Sequence, residues 1–326
     1  MYYNLIKTPV VIKTGNDTLG KIDALLREAH LIFPKKILIT QRNLYDIYKA
    51  QLTVTAFYKV IFVIGGVIEE APEIISQIKD EDALIIAFGG GSVLDIVKYC
   101  ATHSDKPYIT IPSTLSNDAI YSCVARLSSN GKKISYGVQA PIGIIVDLEI
   151  IRKSPKVLIL AGVADLVSNL SAIQDWLLAH QNVGESLNEL AFMLAKEAAI
   201  PLLRYQKEDI YENCFLLDLT NGLITSGLSM IISGNTRGTS GAEHLISHAI
   251  DEYFPERSTI HGLQVGWAHM IIDERYRNQT EISHFFKKVG LLDEFSQNIK
   301  FSEDEFDLLI PYACKIRNRY TLFNTL

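Results

Sequence analysis

Cysteine is scarce in this sequence, and the few cysteines form no recognisable pattern. Four cysteines are spread over 326 residues, and no two of them stand in a CxxC pair. Small disulfide scaffolds and cysteine-rich zinc sites both need closely spaced cysteines, so the sequence argues against either. We expect reduced thiols, as in a cytoplasmic protein.

Long apolar runs and an excess of positive charge are also missing. No continuous apolar run approaches the roughly 20 residues that cross a bilayer, and Met1–Asp17 has no cationic stretch followed by a long apolar core. We therefore expect neither membrane insertion nor a signal peptide. The formal net charge of −6 argues against a nucleic-acid or membrane-surface partner, because such partners need a basic face. A local basic pocket for a phosphate is compatible with this charge.

The first half of the chain alternates short apolar runs with segments of helical spacing. The helical segments are Thr18–His30, Ala71–Lys79 and Ser92–Ala101. The apolar runs predict strands at Val10–Ile12, Lys36–Thr40, Lys59–Ile64, Ala83–Phe88, Pro107–Ile111 and Ile142–Val146. Strands that alternate with helices are typical of a parallel sheet covered by helices, so the predicted class of this half is α/β.

The pattern changes twice further along the chain. Tyr121–Leu127 and Lys132–Val138 flank the pair Asn130-Gly131, a tight-turn signal that predicts a hairpin. From about Ser154 onwards the apolar residues recur only at helical spacing. We therefore predict two domains with a boundary near Lys153, an α/β domain at 1–153 and an all-helical domain at 154–326.

A glycine-rich turn follows the fourth predicted strand. Gly89-Gly90-Gly91-Ser92 stands between this strand and a helix that carries Asp95. Glycines let the backbone approach a phosphate closely, and the N-terminus of the next helix offers unpaired N–H groups and a positive dipole end. The turn therefore suits a pyrophosphate, although an ordinary strand-to-helix turn has the same local pattern. No Walker lysine follows, which excludes P-loop chemistry.

The helical half contains residue types that bind catalytic metals. Asp165 lies in an apolar helical segment, His244 and His248 are four residues apart, and His261 follows thirteen residues later. One carboxylate and two imidazoles with an open fourth position suit a catalytic divalent metal. The chain has eight histidines, and the spacing alone is compatible with structural ones. Leu245 stands where an HExxH motif has its glutamate, so a peptidase is disfavoured.

Several segments together resemble the iron-containing alcohol dehydrogenase and dehydroquinate synthase-like superfamily, and within it the glycerol-1-phosphate dehydrogenase group. They run through most of the chain in the order of the family. The segments are GGGSVLDIVKY (Gly89–Tyr99), PYITIPSTLSNDAIYS (Pro107–Ser122), AGVADLVSNLSAIQDW (Ala161–Trp176), SGNTRGTSGAEHLISHAID (Ser233–Asp251), HGLQVG (His261–Gly266) and RNRYTLFNTL (Arg317–Leu326).

This resemblance implies a Rossmann-like dinucleotide-binding domain at 1–153, an all-α metal- and substrate-binding domain at 154–326, and an active site in the cleft between them. It implies a divalent metal held by Asp165, His244 and His261. Zinc is the expected metal, with iron and nickel as alternatives. The resemblance also implies that NAD or NADP lies along Gly89, Gly90, Gly91, Ser92, Asp95, Ser113 and Thr114.

The resemblance extends to residues around the reacting group. Asp118 matches the family position near the reacting hydroxyl. The sequence Ser116-Asn117-Asp118 is also typical of an ordinary turn. His248 is implied to line the site as a catalytic or substrate-contacting residue. Arg237 is a candidate for the substrate phosphate, since a guanidinium forms paired hydrogen bonds with it, and an ordinary surface arginine is the alternative. Gly238 departs from the proline that is usual in this part of the group's motif.

The implied activity is hydride transfer between NAD(P)(H) and a small polyol phosphate, with sn-glycerol 1-phosphate and dihydroxyacetone phosphate as the expected pair. The alternatives are a dehydrogenase for unphosphorylated glycerol or another alcohol, a sugar-phosphate cyclase like dehydroquinate synthase, and a catalytically silent binding protein. Thr40-Gln41-Arg42 lacks the acid that many NAD-specific relatives use to bind ribose, and Arg42 can attract a 2′-phosphate. We therefore expect relaxed or NADP-leaning cofactor use. We also expect the protein to be a homo-oligomer.

Overall fold

The structure, a computed structural model, describes residues 8–326. Residues 1–7 lie outside the described residues. They are the start of the segment in which we expect no signal peptide. Two compact units are present. The first contains the described residues up to Leu115 together with Ala119–Ser154, and the second contains Ser116–Asp118 and Pro155–Leu326. That the chain divides near Lys153 into two independently folding domains stays a prediction.

The first unit is built on a parallel sheet. The strands of this unit are β1 (Val11–Gly15), β2 (Lys35–Thr40), β3 (Lys59–Phe62), β4 (Ala83–Gly89), β5 (Tyr108–Pro112), β6 (Val124–Ser129), β7 (Lys132–Gly137) and β8 (Gly143–Asp147). Six of them form one sheet in the order β1-β8-β5-β4-β2-β3, and all neighbouring strands run parallel. Every residue of β4 is buried, as expected of a continuously apolar strand covered on both faces.

Helices connect the strands from β1 to β5 in chain order, and one more helix follows β8. They are α1 (Ile22–Glu28), α2 (Arg42–Ile47), α3 (Lys49–Leu52), α4 (Ala71–Ile78), α5 (Gly91–His103) and α6 (Leu148–Arg152). The core between helices and sheet contains Leu26, Leu38, Ile86 and Ile109, all almost fully buried. The sequence pattern did not reveal α2 and α3, since they are short and their apolar residues do not repeat over several turns.

The order of the strands creates a topological switch. The connection that leaves β2 runs outward to β3, whereas the connection that leaves β4 runs in the opposite direction to β5. In open α/β sheets, ligands bind in the crevice at the carboxyl ends of strands where the direction changes in this way. The glycine turn that begins at Gly89 therefore lies at the position in the sheet where a nucleotide is expected.

The predicted hairpin is confirmed as the antiparallel pair β6 and β7. Asn130 and Gly131 both have positive φ angles, 50° and 80°. These angles are typical of a two-residue type I′ turn, whose twist matches that of the flanking strands. β6 begins at Val124 rather than at the predicted Tyr121.

The second unit is helical throughout its described residues, and none of residues 155–326 is in a strand. Its helices are α7 (Lys156–Val167), α8 (Asn169–Val183), α9 (Glu189–Ala199), α10 (Asn213–Ser233), α11 (Ala242–Tyr253), α12 (His261–Ile272), α13 (Glu281–Val289), α14 (Leu291–Asn298) and α15 (Phe306–Ile316). From Gly262 onwards every residue of α12 is buried, so this helix forms the centre of the unit.

Two helical stretches, Lys156–Val183 and Asn213–Ser233, are long and apolar enough on average to cross a membrane. Scattered polar residues interrupt both, so neither contains a continuous apolar run of about 20 residues. In the structure, 78% and 61% of their most apolar windows are buried within the protein. Helices in the core of a folded protein are buried to a similar extent. The four cysteines are all free thiols, as expected, and Cys100 is buried.

Candidate active site

The structure brings together the three residues predicted to bind a metal. Asp165 lies near the end of α7, His244 in the first turn of α11, and His261 at the start of α12. One ligand atom from each lies within 4.8 Å of the other two. Nε2 of His244 is 3.6 Å from Asp165 Oδ1, and Nε2 of His261 is 3.8 Å from the same oxygen.

Two glycines on α12 allow this approach. A Cβ atom at Gly262 would lie 2.1 Å from the carbonyl oxygen of Ala161, and one at Gly266 would lie 2.6 Å from the Cβ of Ala164. Any side chain at these positions would therefore push α12 away from α7. The two glycines are four residues apart and so lie on one helix face, which places His261 close to Asp165.

The geometry of the cluster fits a metal ion. Asp165 Oδ1 is buried and has no hydrogen-bond partner among the described residues, although two imidazole nitrogens face it. The two nitrogen–oxygen distances are too long for good hydrogen bonds. They are close to the separation of about 3.4 Å between two ligands each bound about 2.1 Å from a tetrahedral ion. A cation between the three side chains would satisfy the oxygen.

Electrostatics leads to the same conclusion. Burial, and secondly the negative charge of Asp118, raises the pKa of Asp165 to about 7. An ionised carboxylate at this place therefore needs a positive charge beside it, since desolvation favours the neutral form. A divalent ion is the strongest local charge a protein site can supply, and it would hold Asp165 ionised.

Glu243 orients the first histidine. His244 Nδ1 lies 2.9 Å from Glu243 Oε1, which also accepts a hydrogen bond from the backbone N–H of Gly241 at 2.6 Å. Burial disfavours the charge on Glu243, but the hydrogen bonds from His244, Gly241 and Ser171 outweigh this effect and lower its pKa to about 2. The carboxylate can only accept from His244, so the imidazole proton is on Nδ1 and Nε2 presents a lone pair.

A chain of hydrogen bonds orients the second histidine. The Thr259 N–H donates to Gln264 Oε1 at 2.7 Å, which directs the amide nitrogen of Gln264 toward Ser247 Oγ at 2.9 Å. Ser247 Oγ thus accepts from Gln264 and lies 2.9 Å from His261 Nδ1. The hydroxyl can also accept a hydrogen bond from Nδ1–H of His261, and in that tautomer the lone pair of Nε2 faces Asp165.

The other residues predicted around the reacting group are also near this cluster. The backbone N–H of Asp118 donates to Asp165 Oδ2 at 3.3 Å. The His248 ring is stacked on that of His261, with centroids 5.8 Å apart and an interplanar angle of 21°. Arg317 Nη2 lies 3.4 Å from His248 Nδ1. Because arginine can only donate, this contact favours the His248 tautomer that carries its proton on Nε2.

Arg237 is buried rather than at the surface, with 3% of its area exposed. Its Nε lies 2.8 Å from Glu185 Oε1, and Nη2 donates to Glu185 Oε2 and to the carbonyl oxygen of Tyr320, both at 2.9 Å. Nε and Nη1 are buried and have no hydrogen-bond partner among the described residues, so the contact of Nε with Glu185 is an ion pair by distance only. The phosphate-binding role of Arg237 stays a prediction, and Nη2 is the guanidinium nitrogen that forms hydrogen bonds with the protein. At the neighbouring Gly238, a Cβ atom would lie 3.0 Å from Ala195 Cβ, so this position is tightly packed.

The residues predicted to bind the nicotinamide cofactor lie in the first unit. A Cβ atom at Gly89 would lie 2.6 Å from Val93 Cβ, so this glycine permits α5 to pack tightly against β4. Gly90 is the N-cap of α5, and a Cβ atom there would be 3.4 Å from Thr114 Oγ1 and 4.0 Å from Ser113 Oγ. The Ser113 N–H donates to the carbonyl oxygen of Gly89 at 2.9 Å. The two loops predicted to bind the diphosphate are therefore adjacent.

The Asp95 side chain has structural partners. Its Oδ1 accepts from Lys98 Nζ at 3.0 Å, and its Oδ2 accepts from the backbone N–H of Arg126 at 3.1 Å. Lys98 is fully buried and also donates to Ser122 Oγ and to the carbonyl oxygen of Val124. Asp95 thus joins α5 to β6, and its contact with the cofactor stays a prediction.

Sequence reasoning missed four residues that organise the site. Glu243 and Ser247 flank His244 in the motif SGAEHLIS, and Gln264 stands three residues after His261 in HGLQ. The signal available for Ser247 and Gln264 was helical spacing, since each stands three residues after a histidine and so shares a helix face with it. Glu243 is adjacent to His244, and this spacing gave no signal for it. Arg317 was only part of a resembling segment, and no local pattern indicated that it reaches His248.

Comparison with known proteins identifies relatives of this chain. The family model described as iron-containing alcohol dehydrogenase matches residues 13–155. Glycerol-1-phosphate dehydrogenase [NAD(P)+] of Archaeoglobus fulgidus is 34% identical over 279 residues, covering 84% of this chain and 78% of the relative. The enzyme of the same name from Thermococcus kodakarensis is 31% identical over 305 residues, covering 88% of this chain and 84% of the relative.

Solved structures show the fold. Glycerol dehydrogenase from Schizosaccharomyces pombe superposes with a TM-score of 0.73 at 17% identity, covering 99% of this chain and 95% of that one. The predicted fold, a Rossmann-like α/β part followed by an all-α part, is confirmed, and it is the fold of the iron-containing alcohol dehydrogenases. At the level of sequence, the chain belongs to the glycerol-1-phosphate dehydrogenase group of this family.

We predict that His261→Ala lowers the metal bound per chain from about one equivalent to a small fraction of this, because an imidazole ligand is removed. Elemental analysis after dialysis against a weak chelator measures the loss. His284→Ala is the matched control, because His284 is an exposed histidine on α13 of the same unit. Full metal content in the folded His261→Ala protein would contradict the site.

We predict that Gly90→Val weakens NAD(P)H binding at least about tenfold, because a side chain would occupy the space that the diphosphate needs. The protein itself accommodates a Cβ atom at Gly90, with Thr114 Oγ1 3.4 Å away, so the variant should fold. Fluorescence titration gives the Kd. Gly137→Val is the control, since no atom lies within 4 Å of a Cβ there. Unchanged affinity in Gly90→Val would give the glycine turn another role.

Proposed function

We propose that this protein is a cytoplasmic, metal-dependent oxidoreductase that transfers a hydride between NAD(P)(H) and a three-carbon polyol phosphate. The expected reaction interconverts sn-glycerol 1-phosphate and dihydroxyacetone phosphate. The observation that carries the proposal is the cluster of Asp165, His244 and His261, with ligand atoms within 4.8 Å, in a chain of the glycerol-1-phosphate dehydrogenase group. The protein is expected to act as a homo-oligomer.

The three clustered residues would hold a divalent metal, which we propose to be zinc, with iron and nickel as the alternatives. When bound, the metal would polarise the substrate oxygen as a Lewis acid. Two imidazoles and one carboxylate with an open position are found in catalytic zinc sites and also in iron sites. Separate reconstitution of metal-free protein with zinc, iron and nickel, followed by activity measurement, distinguishes these metals.

The residues of the chain prepare the substrate for this step. The contact with Arg317 favours the His248 tautomer with its proton on Nε2, which makes this nitrogen a hydrogen-bond donor for a substrate oxygen. Asp118, whose backbone is fixed by Asp165 Oδ2, offers a carboxylate that can accept a hydrogen bond from a substrate hydroxyl. In the reductive direction, a bound NAD(P)H would supply the hydride for the carbonyl carbon, and the new alcohol oxygen would take its proton from solvent.

A reductase screen tests the function. Dihydroxyacetone phosphate, dihydroxyacetone and simple aldehydes are each offered with NADH and NADPH, and loss of nicotinamide absorbance is followed. We expect the phosphorylated ketone to exceed dihydroxyacetone about 10- to 100-fold in kcat/KM, because a charged hydrogen bond to phosphate is gained. Equal efficiency for the two ketones would reject the phosphate and favour a general polyol dehydrogenase. Absence of net redox turnover with all of them would favour the cyclase-type or silent alternatives.

The cofactor preference gives a separate prediction. Arg42 follows β2 beside the topological switch, and its guanidinium stacks on the Phe62 ring, with 3.4 Å to the centroid. Thr40, Gln41 and Arg42 have no carboxylate group, so none of them would repel a 2′-phosphate. Arg42→Ala should therefore raise the KM for NADPH about tenfold and leave that for NADH nearly unchanged. Lys49→Ala, at an exposed cation on α3, is the control. A strong NADH preference that Arg42→Ala leaves intact would contradict the prediction.

A further inference from the structure

A nearly buried arginine lies at the end of the central helix of the second unit. α12 continues into a π-helical turn, Asp273–Arg277, and the side chain of Arg277 is 8% exposed. Its Nη1 donates to Asp273 Oδ1 at 2.9 Å and to Ser171 Oγ at 2.8 Å, and its Nη2 donates to Asp175 Oδ1 at 3.1 Å. Single π-helical turns are rare and are frequent at functional sites. The arginine joins the end of α12 to α8, which contains Ser171 and Asp175.

The hydroxyl of Ser171 connects this arginine to a candidate metal ligand. Ser171 Oγ donates to Glu243 Oε2 at 2.8 Å, and Glu243 Oε1 lies 2.9 Å from His244 Nδ1. Ser171 and Glu243 are fully buried, so water does not compete for these contacts. The contacts form a continuous chain of hydrogen bonds from Arg277 to His244.

The chemistry of each group fixes the direction of the hydrogen bonds in this chain. A guanidinium can only donate, so the hydroxyl oxygen of Ser171 accepts from Arg277. The single hydroxyl proton is then donated to Glu243, whose ionised carboxylate can only accept. The same carboxylate accepts from Nδ1–H of His244. The chain therefore leaves the lone pair of His244 Nε2 facing Asp165, as a metal ligand requires.

Arg277 also contributes to the fold, because two buried carboxylates contact it. Asp175 Oδ2 accepts from the backbone N–H of Ala242, at the start of α11, at 2.6 Å. Asp273 is likewise buried, with 2% of its area exposed. Removal of the guanidinium would leave both carboxylates without this partner, and breaking a buried ion pair is strongly destabilising. A substitution at Ser171 breaks the chain to the metal ligand and keeps these ion pairs.

We infer that Arg277 is a positioning residue for the metal ligand His244, and that it acts through Ser171 and Glu243. This inference rests on the proposed function, which requires the metal. The guanidinium polarises the Ser171 hydroxyl toward the carboxylate, which is thereby held where it accepts from Nδ1–H of His244. The affinity for the metal therefore depends on an arginine that the metal does not contact. Groups that hydrogen-bond to metal ligands commonly affect metal affinity in this way.

The first experiment measures zinc binding to the metal-free protein by competition with a chromophoric chelator. Ser171→Ala removes the hydroxyl and keeps the contacts of Arg277 with its two carboxylate partners. The Kd for zinc should rise about three- to tenfold. This is less than the about 10- to 100-fold typical of a direct partner of a ligand, because Ser171 lies one hydrogen bond further away. Ser229→Ala, at a buried serine that donates to a backbone carbonyl of α9, is the matched control and should keep the Kd of the parent.

Double substitutions test whether the effect passes along the chain. In Glu243→Gln no carboxylate accepts from Ser171, so added Ser171→Ala should change the Kd for zinc less than about twofold. Arg277→Lys keeps a positive charge but lacks the fork that reaches the hydroxyl and both carboxylates. It should raise the Kd when made alone, and change it less than about twofold when added to Ser171→Ala. Independent, additive effects in either pair would overturn the inference.

Thermal unfolding of the metal-free proteins separates positioning from a structural role. Arg277→Lys should lower the Tm both alone and together with Ser171→Ala, because the buried carboxylates lose part of their pairing in both proteins. Its effect on the Kd for zinc should be confined to the protein that retains Ser171. A Kd that follows the Tm across all variants would show that Arg277 only stabilises the fold, and the inference would then be wrong.

Zinc binding by the parent distinguishes failure of this inference from failure of the proposed function. If the folded parent binds about one zinc per chain and Ser171→Ala has the same Kd, the inference is wrong and the proposed function stands. If the folded parent binds none of zinc, iron and nickel, the proposed metal-dependent function fails, and the inference fails with it.

Discussion

A buried carboxylate oxygen without a hydrogen-bond partner is the constraint on which the site depends. Asp165 Oδ1 faces two imidazole nitrogens at distances suited to a shared ion, and burial disfavours its charge. Without a cation, the protein would have to keep this aspartate neutral or expose it to water. The close packing at Gly262 and Gly266 and the hydrogen-bonding contacts of both histidines bring the imidazole nitrogens toward this oxygen.

The two histidines are supported by partners of different chemistry. An ionised carboxylate, that of Glu243, backs His244, whereas a hydroxyl, that of Ser247, backs His261. A carboxylate makes its imidazole a stronger electron donor than a hydroxyl does. His244 is therefore expected to bind the metal more strongly than His261. His261, the ligand expected to be the weaker one, is the one whose ring stacks on that of His248.

Much of the fold could be predicted from the sequence, because strand periodicity, the Asn130-Gly131 turn and helical spacing are local signals. The three candidate ligands could be proposed from residue type and family resemblance. The groups that hydrogen-bond to these histidines could not be predicted, because the contact of Gln264 with Ser247 depends on how α12 crosses α11. The burial of Arg237 was equally hidden, since Glu185 and Tyr320 reach it from 52 and 83 residues away.

The contacts of Lys98 affect the entropy cost of the proposed nucleotide binding. All three of its ammonium donors are satisfied, by Asp95, Ser122 and Val124, in a fully buried position. The helix that begins at the glycine turn is therefore fastened to the hairpin before any ligand arrives. Ordering a loop on binding costs conformational entropy, which weakens affinity. Because the helix that follows the glycine turn is already immobilised, the turn would lose less conformational entropy on binding a phosphate. The backbone N–H groups of the turn are therefore ordered before the proposed ligand binds.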